Sequence, residues 1–150
     1  MSKWRKFRGL PAEEKKLFLR AALLLPLVRV GLKALGLKRV AALLQSSPPP
    51  PPLGNPSDRL GEARRAARLV AIAARYAGGA CLAQALVSVW LLERRGIPAD
   101  LRIGVRKSDR GLEAHAWVEL LGTVLNDGQD VTERFAAFDR SFAPARLDWR

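Results

Sequence analysis

The sequence predicts an α+β fold in which a buried central helix packs on a small antiparallel sheet, with further helices ahead of it. Three observations carry this expectation. The stretch "CLAQALVSVWLLERRG", residues 81–96, places Leu82, Leu86, Val87, Val89, Trp90, Leu91 and Leu92 in almost every direction around a helix axis, the pattern of a helix buried on all sides. Three strand-like runs follow it, "ADLRIGVRK", "LEAHAWVEL" and "TVLND", joined by short connections that contain glycine. Ahead of it, residues 13–45 and the stretch from Ser57 to Ala77 are rich in Ala, Leu and Arg, all strong helix formers.

The chain divides into three parts: a basic helical segment over 1–46, a proline-rich linker over 47–57, and a main domain over 58–150. In the first part Lys16 and Arg20 lie four apart, as do Arg29 and Lys33, so each pair shares a helix face. Pro26 is expected to kink or divide this helix. The longest uncharged run, Ala21 to Val28, is too short to span a bilayer, which takes about 20 apolar residues. Three readings of the segment stay open: a helical pair packed on the main domain, a docking surface for a partner protein, and a basic amphipathic helix in peripheral contact with a membrane.

Five consecutive prolines in "SSPPPPPLGNPS" make a stiff polyproline spacer that neither helix nor strand can cross. In the main domain Ser57 or Asp58 caps a helix running to about Ala77, ended by Gly78-Gly79. The buried helix follows and ends at Gly96. A turn at Ser108–Gly111 joins the first two strands. Thr132 is placed to cap a short helix around Glu133–Phe138, and the tail after Ser141, which contains Pro144, reads as irregular.

With 49% apolar and 27% charged residues the chain can build a core and is not a disordered tail. Its formal charge of +12 calls for an anionic partner, but no nucleic-acid recognition motif accompanies the charge and aromatic residues are scarce, so nucleic acid is not expected. One cysteine and one histidine exclude an internal disulfide and a zinc cluster, and no metal or cofactor is implied. Glu13, Glu14 and Arg20 interrupt the apolar stretch after the basic start, and no cleavage site follows cleanly. The expected location is therefore cytoplasmic.

Those two single residues carry the functional reading. Cys81 follows "AGGA" and opens the buried helix, where unpaired N–H groups and the helix dipole favour a thiolate, the nucleophilic form. The same N–H groups, that of Cys81 included, are placed to hold an oxyanion. A free cysteine is more often an apolar filler, so Cys81 does not carry the case alone. Alternation along "EAHAWVELLGTVLND" puts His115, Trp117 and Glu119 on one face of a strand. A three-residue loop, Leu121-Gly122-Thr123, would then set Trp117 opposite Asp127 and make His115 its diagonal neighbour. A two-residue loop would send Asp127 to the wrong face. In this arrangement His115 takes the proton of Cys81 and returns it to the leaving amine, while Asp127 orients the imidazole. Trp117 shields the His115–Asp127 bond from water or simply fills the core.

At these residues the chain resembles the transglutaminase-like, papain-related superfamily. More closely it is similar to the lasso-peptide maturation proteases, which remove the leader from a ribosomally made precursor. The resemblance rests on "CLAQALVSVWLLERRGIPADLRIGV", on "HAWVEL" and on "LND", and covers about residues 60–130. The basic Leu/Ala-rich N-terminal stretch is also similar to that family's, and the H-A-W element is shared across the wider superfamily. It implies a papain/transglutaminase-like core and a cysteine peptidase with Cys81, His115 and Asp127 as nucleophile, base and orienting acid. It also implies a precursor (leader) peptide as substrate and a lasso cyclase as partner. The family commonly relies on a small, strand-rich leader-recognition domain. Nothing before the proline run looks like one, so a separate recognition protein is expected. Two alternatives stand beside this: another transglutaminase-like amidase or acyl transferase, and a non-catalytic basic adaptor that binds membrane or an acidic protein.

Overall fold

The computed structural model describes residues 3–78 and 80–138, apart from the side chains of Lys3 and Trp4. Within them the chain runs α1 (Lys3–Arg8), α2 (Ala12–Gln45), a 3-10 turn (Pro56–Arg59), α3 (Leu60–Ala77), α4 (Cys81–Glu93), β1 (Asp100–Ser108), β2 (Gly111–Leu120), β3 (Thr123–Val124), α5 (Val131–Arg134) and β4 (Ala136–Ala137). This is the α+β arrangement the sequence predicts. Helices α2, α3 and α4 pack on one another, and α4 lies across a four-stranded antiparallel sheet of order β3-β2-β1-β4. The expected tail after Ser141 and Gly79 lie outside the described residues.

Helix α4 is the buried centre: Ala83, Ala85, Leu86, Val87, Val89 and Leu92 are fully inaccessible. Against it α2 places Leu17, Ala21, Leu25 and Val28, spaced i, i+4, i+8 and i+11, and α3 places Ala63, Ala66, Ala67, Val70, Ala73 and Ala74. The small alanines let the helices approach closely, which gives a helix as polar overall as α3 a continuous inner face. From the sheet, Leu101, Ala116, Val118 and Leu120 complete the same core.

The interruption in the N-terminal helix is not at Pro26, as expected from the sequence, but at Gly36. Dihedral angles stay helical through Pro26, whereas Gly36 has φ 81° and ψ 168°. Proline removes only one helical hydrogen bond, while a positive φ ends helical geometry outright and only glycine adopts it without strain. The chain folds back there, so that a methyl carbon of Val40 would lie 3.1 Å from any Cβ placed on Gly31. Capping also differs from expectation. Neither Ser57 nor Asp58 caps α3, whose N-cap position is Arg59 with no side-chain bond. Asn55 instead caps the 3-10 turn by accepting the Ser57 N–H, and α5 starts after Asp130 with no side-chain cap, from Thr132 or any other residue. Helix α3 does end at Ala77, with Gly78 left-handed.

The proline run lies along the C-terminal end of α4. Trp90 Nε1 donates to Leu44 O at 3.0 Å, Arg94 Nη2 to Ser47 O at 3.1 Å, and Leu53 N–H to Gly96 O at 3.2 Å. These bonds straddle the prolines, which have no N–H of their own to satisfy. Among the described residues no helix is long and apolar enough to cross a membrane.

Candidate active site

Strand β2 has two buried faces in its second half. Ala116, Val118 and Leu120 enter the core that α4 fills. Trp117 anchors a second cluster with Val124, Val131 and Phe135, on the face that carries His115. The indole lies over β1 so closely that a Cβ on Gly104 would come within 2.9 Å of Cη2. Gly104, the register partner of His115, is therefore a close-approach glycine. Trp117 is fully buried, and its Nε1 donates to Glu119 Oε1 at 2.8 Å. Glu119, 8% exposed, is held in addition by Arg102 Nε at 3.4 Å.

The hairpin that carries His115 differs from expectation in a revealing way. Leu120 pairs Thr123 and Glu119 pairs Val124, so the loop is the two residues Leu121-Gly122, not three. Both have positive φ, 50° and 77°, as a tight hairpin turn matching strand twist requires. By alternation Asp127 would then face away from His115. It does not, because the ladder stops first. Leu125 N–H still donates to Val118 O at 2.9 Å, but the reciprocal Val118 N–H bonds the Asn126 side-chain oxygen at 2.8 Å. With its amide occupying that rung the chain leaves the sheet, and Asp127 is free of strand periodicity. It lies beyond β3, in a bend.

From there Asp127 Oδ2 meets His115 Nε2 at 2.5 Å. Its other oxygen, Oδ1, accepts from Gly128 N–H and from Arg134 Nη2, both at 2.7 Å, and Arg134 Nε also reaches Asp130 Oδ2 at 3.1 Å. Burial pushes the Asp127 pKa up and is the largest single effect. The hydrogen bond from His115, that from Gly128 N–H, the attraction of the ring and the bond from Arg134 together outweigh it and hold the carboxyl below its ordinary value. A carboxylate so fixed sets the imidazole as the Nε2–H tautomer, which leaves Nδ1 as the basic nitrogen. The ring is walled by Phe135 at 5.0 Å and Trp117 at 6.1 Å between centroids, and Arg106 lies 4.7 Å over Phe135.

Cys81 is the first residue of α4, half-buried and packed against the main core. No side chain caps this helix, and its first backbone bond runs from Gln84 N–H to Ala80 O at 3.0 Å, so the N–H groups of Cys81, Leu82 and Ala83 precede the helical ladder. On the other side of the loop, Arg29 Nη1 donates to Gly78 O at 2.7 Å and ties the end of α3 to α2. The structure thus brings His115 and Asp127 together, and sets Cys81 at the head of the helix that packs on the strand bearing His115. Among the described residues no hydrogen bond joins the thiol to the ring. A cavity of about 270 Å³ lined by Leu44, Gln45, Pro48, Pro49, Trp90 and Arg94 lies at the opposite end of α4 and contains none of the three.

Sequence reasoning missed Asn126, Arg134 and Phe135. Asn126 had a signal, since an asparagine in a strand-like run competes with the ladder for backbone groups. Arg134 and Phe135 had none, because they meet the site only through the fold.

A thiol at the head of a buried helix, an imidazole on the adjoining strand and a carboxylate in the bend beyond the sheet are groups suited to cysteine protease or acyltransferase chemistry. The family model for the transglutaminase-like superfamily matches residues 23–139, and the chain belongs to that superfamily. The match begins inside α2 and runs across the proline stretch. No curated protein and no solved structure matches the chain.

Proposed function

We propose that the protein is a cysteine peptidase that removes the leader from a ribosomally synthesised lasso precursor peptide, with Cys81, His115 and Asp127 as its triad. The observation that carries the reading is the His115 Nε2–Asp127 Oδ2 contact, which commits one ring nitrogen and frees the other for the thiol. His115 Nδ1 takes the Cys81 proton as Sγ attacks the scissile carbonyl. The oxyanion draws on the N–H groups that open α4, and the leaving amine departs with the proton from Nδ1. Water then repeats the sequence on the thioester, releasing the leader acid and restoring the thiol. Sγ and Nδ1 must close to hydrogen-bond contact on the way, a tightening that unliganded sites undergo when substrate binds.

The finer assignment follows the resemblance of "CLAQALVSVWLLERRG", "HAWVEL" and "LND" to the lasso leader peptidases. It makes a separate leader-recognition protein and a lasso cyclase the partners of this chain. The experiment supplies the precursor together with that recognition protein and follows leader release by mass. Cys81→Ala should fold with unchanged melting behaviour and release no leader. Full-rate release by that variant removes Cys81 from the mechanism.

A further inference from the structure

We propose that the outward face of α2 docks this protein peripherally on an anionic lipid bilayer. Helix α2 is apolar on two opposite sides. Leu17, Ala21, Leu25 and Val28 are buried in the core, and Leu19, Leu23, Leu27 and Val30 repeat the same spacing two residues later. Two residues correspond to about 200° of helix rotation, so the second row points away from the first. It is 58%, 67%, 61% and 65% exposed, on the side where a surface helix ordinarily keeps polar groups. The row runs roughly 16 Å along the axis at about 1.5 Å per residue.

Cations border it on both sides. Lys16 and Arg20 lie along one edge and Lys33 along the other, all exposed. Glu13, in the first turn, pairs with Lys16 at 3.5 Å, but no acidic residue stands between Glu14 and Asp58. The partner is therefore anionic, and this decides against a second copy of the chain, whose α2 would bring like charges face to face. Between lipid and an acidic protein, side-chain chemistry decides. From Ala12 to Leu44 there is no Ser, Thr, Asn, Gln, Tyr or Trp, and the one aromatic, Phe18, packs on Phe7 and the core. Specific protein interfaces rely on such aromatic anchors and directional hydrogen bonds. A bilayer boundary needs neither: the leucines enter the acyl region while Lys and Arg extend to the headgroup phosphates.

The test is co-sedimentation of the full chain with phosphatidylcholine vesicles, with and without phosphatidylglycerol. Binding is expected only to the anionic vesicles, and should collapse between about 0.15 M and 1 M salt as the Debye length falls from about 8 to 3 Å. Leu23→Ser with Leu27→Ser, and separately Lys16→Gln with Arg20→Gln and Lys33→Gln, should each weaken partitioning by at least about tenfold. All five side chains are exposed, and unchanged melting curves show that the fold is kept. Equal binding to both vesicles, no binding to either, or binding undiminished in the serine variant overturns the proposal. If a concentration-dependent dimer that the serine variant abolishes is found instead, the face belongs to a second copy. Vesicle binding needs no working thiol, so this proposal and the peptidase reading fail separately.

Discussion

Replacing Asp127 with asparagine keeps the shape of the side chain and removes its charge, and the surrounding donors dictate which way the amide turns. Oδ1 accepts from Gly128 N–H and Arg134 Nη2, both at 2.7 Å. An amide nitrogen placed there would oppose two donors, so the carbonyl oxygen takes that position and the NH2 group faces the imidazole. His115 Nε2 must then accept rather than donate, which moves the ring proton to Nδ1. Nδ1 is the nitrogen that has to receive the thiol proton, and the variant loses both that base and the charge that stabilises imidazolium. The expected loss is about 10²–10⁴ in kcat/KM, or roughly 3–5.5 kcal/mol of transition-state stabilisation. His115 is the only histidine in the chain, so its ¹⁵N resonances report the tautomer without assignment. The parent should show Nε2–H and the variant Nδ1–H, with leader release slowed in parallel. An unchanged tautomer together with a rate within about threefold of the parent refutes the reasoning.

Asp127 also ties stability to pH. Its pKa in the folded protein lies below the ordinary 3.8, so the stabilisation it contributes is fully present above that value and is lost as pH falls through the lower, folded value. Urea midpoints measured from neutral pH downward should fall more steeply below about pH 4 in the parent than in Asp127→Asn; equal slopes would show that the carboxylate adds nothing to the fold. Gly104→Ala sets a Cβ 2.9 Å from the Trp117 ring and 3.0 Å from Ala136 O, neither of which can retreat. It should cost about 1–3 kcal/mol in thermal or urea unfolding, as overpacking does, and a neutral result would mean that the indole has room to shift.

Much of the fold was legible in local patterns, because burial imposes periodicity that survives in the letters. A helix apolar on every side had to be central, and α4 is. Gly78 had to end α3, since a residue with no Cβ takes the left-handed position most easily. The helix break was misplaced because Pro26 is the stronger local signal, while Gly36 turns the chain in response to packing of Val40 on Gly31. The hairpin shows the limit most clearly. Reasoning from alternation needed a loop of three residues to bring Asp127 to His115; the loop has two, and the pair forms all the same, because Asn126 ends the ladder one rung before periodicity could carry Asp127 away.

The sequence by itself determined the α+β class, the burial of α4 on every side, and the single cysteine and single histidine as the candidates for thiol chemistry. Each depends on a residue's own chemistry or on neighbours within a few positions. Only the tertiary structure decided that Asp127 reaches Nε2 and not Nδ1, that Arg134 and Gly128 fix its other oxygen, and that Phe135 walls the ring. It also decided that one of the two apolar rows of α2 is left without cover. Those outcomes depend on where the chain leaves its ladder and on which surfaces meet, and side-chain alternation carries no information once the strand has ended.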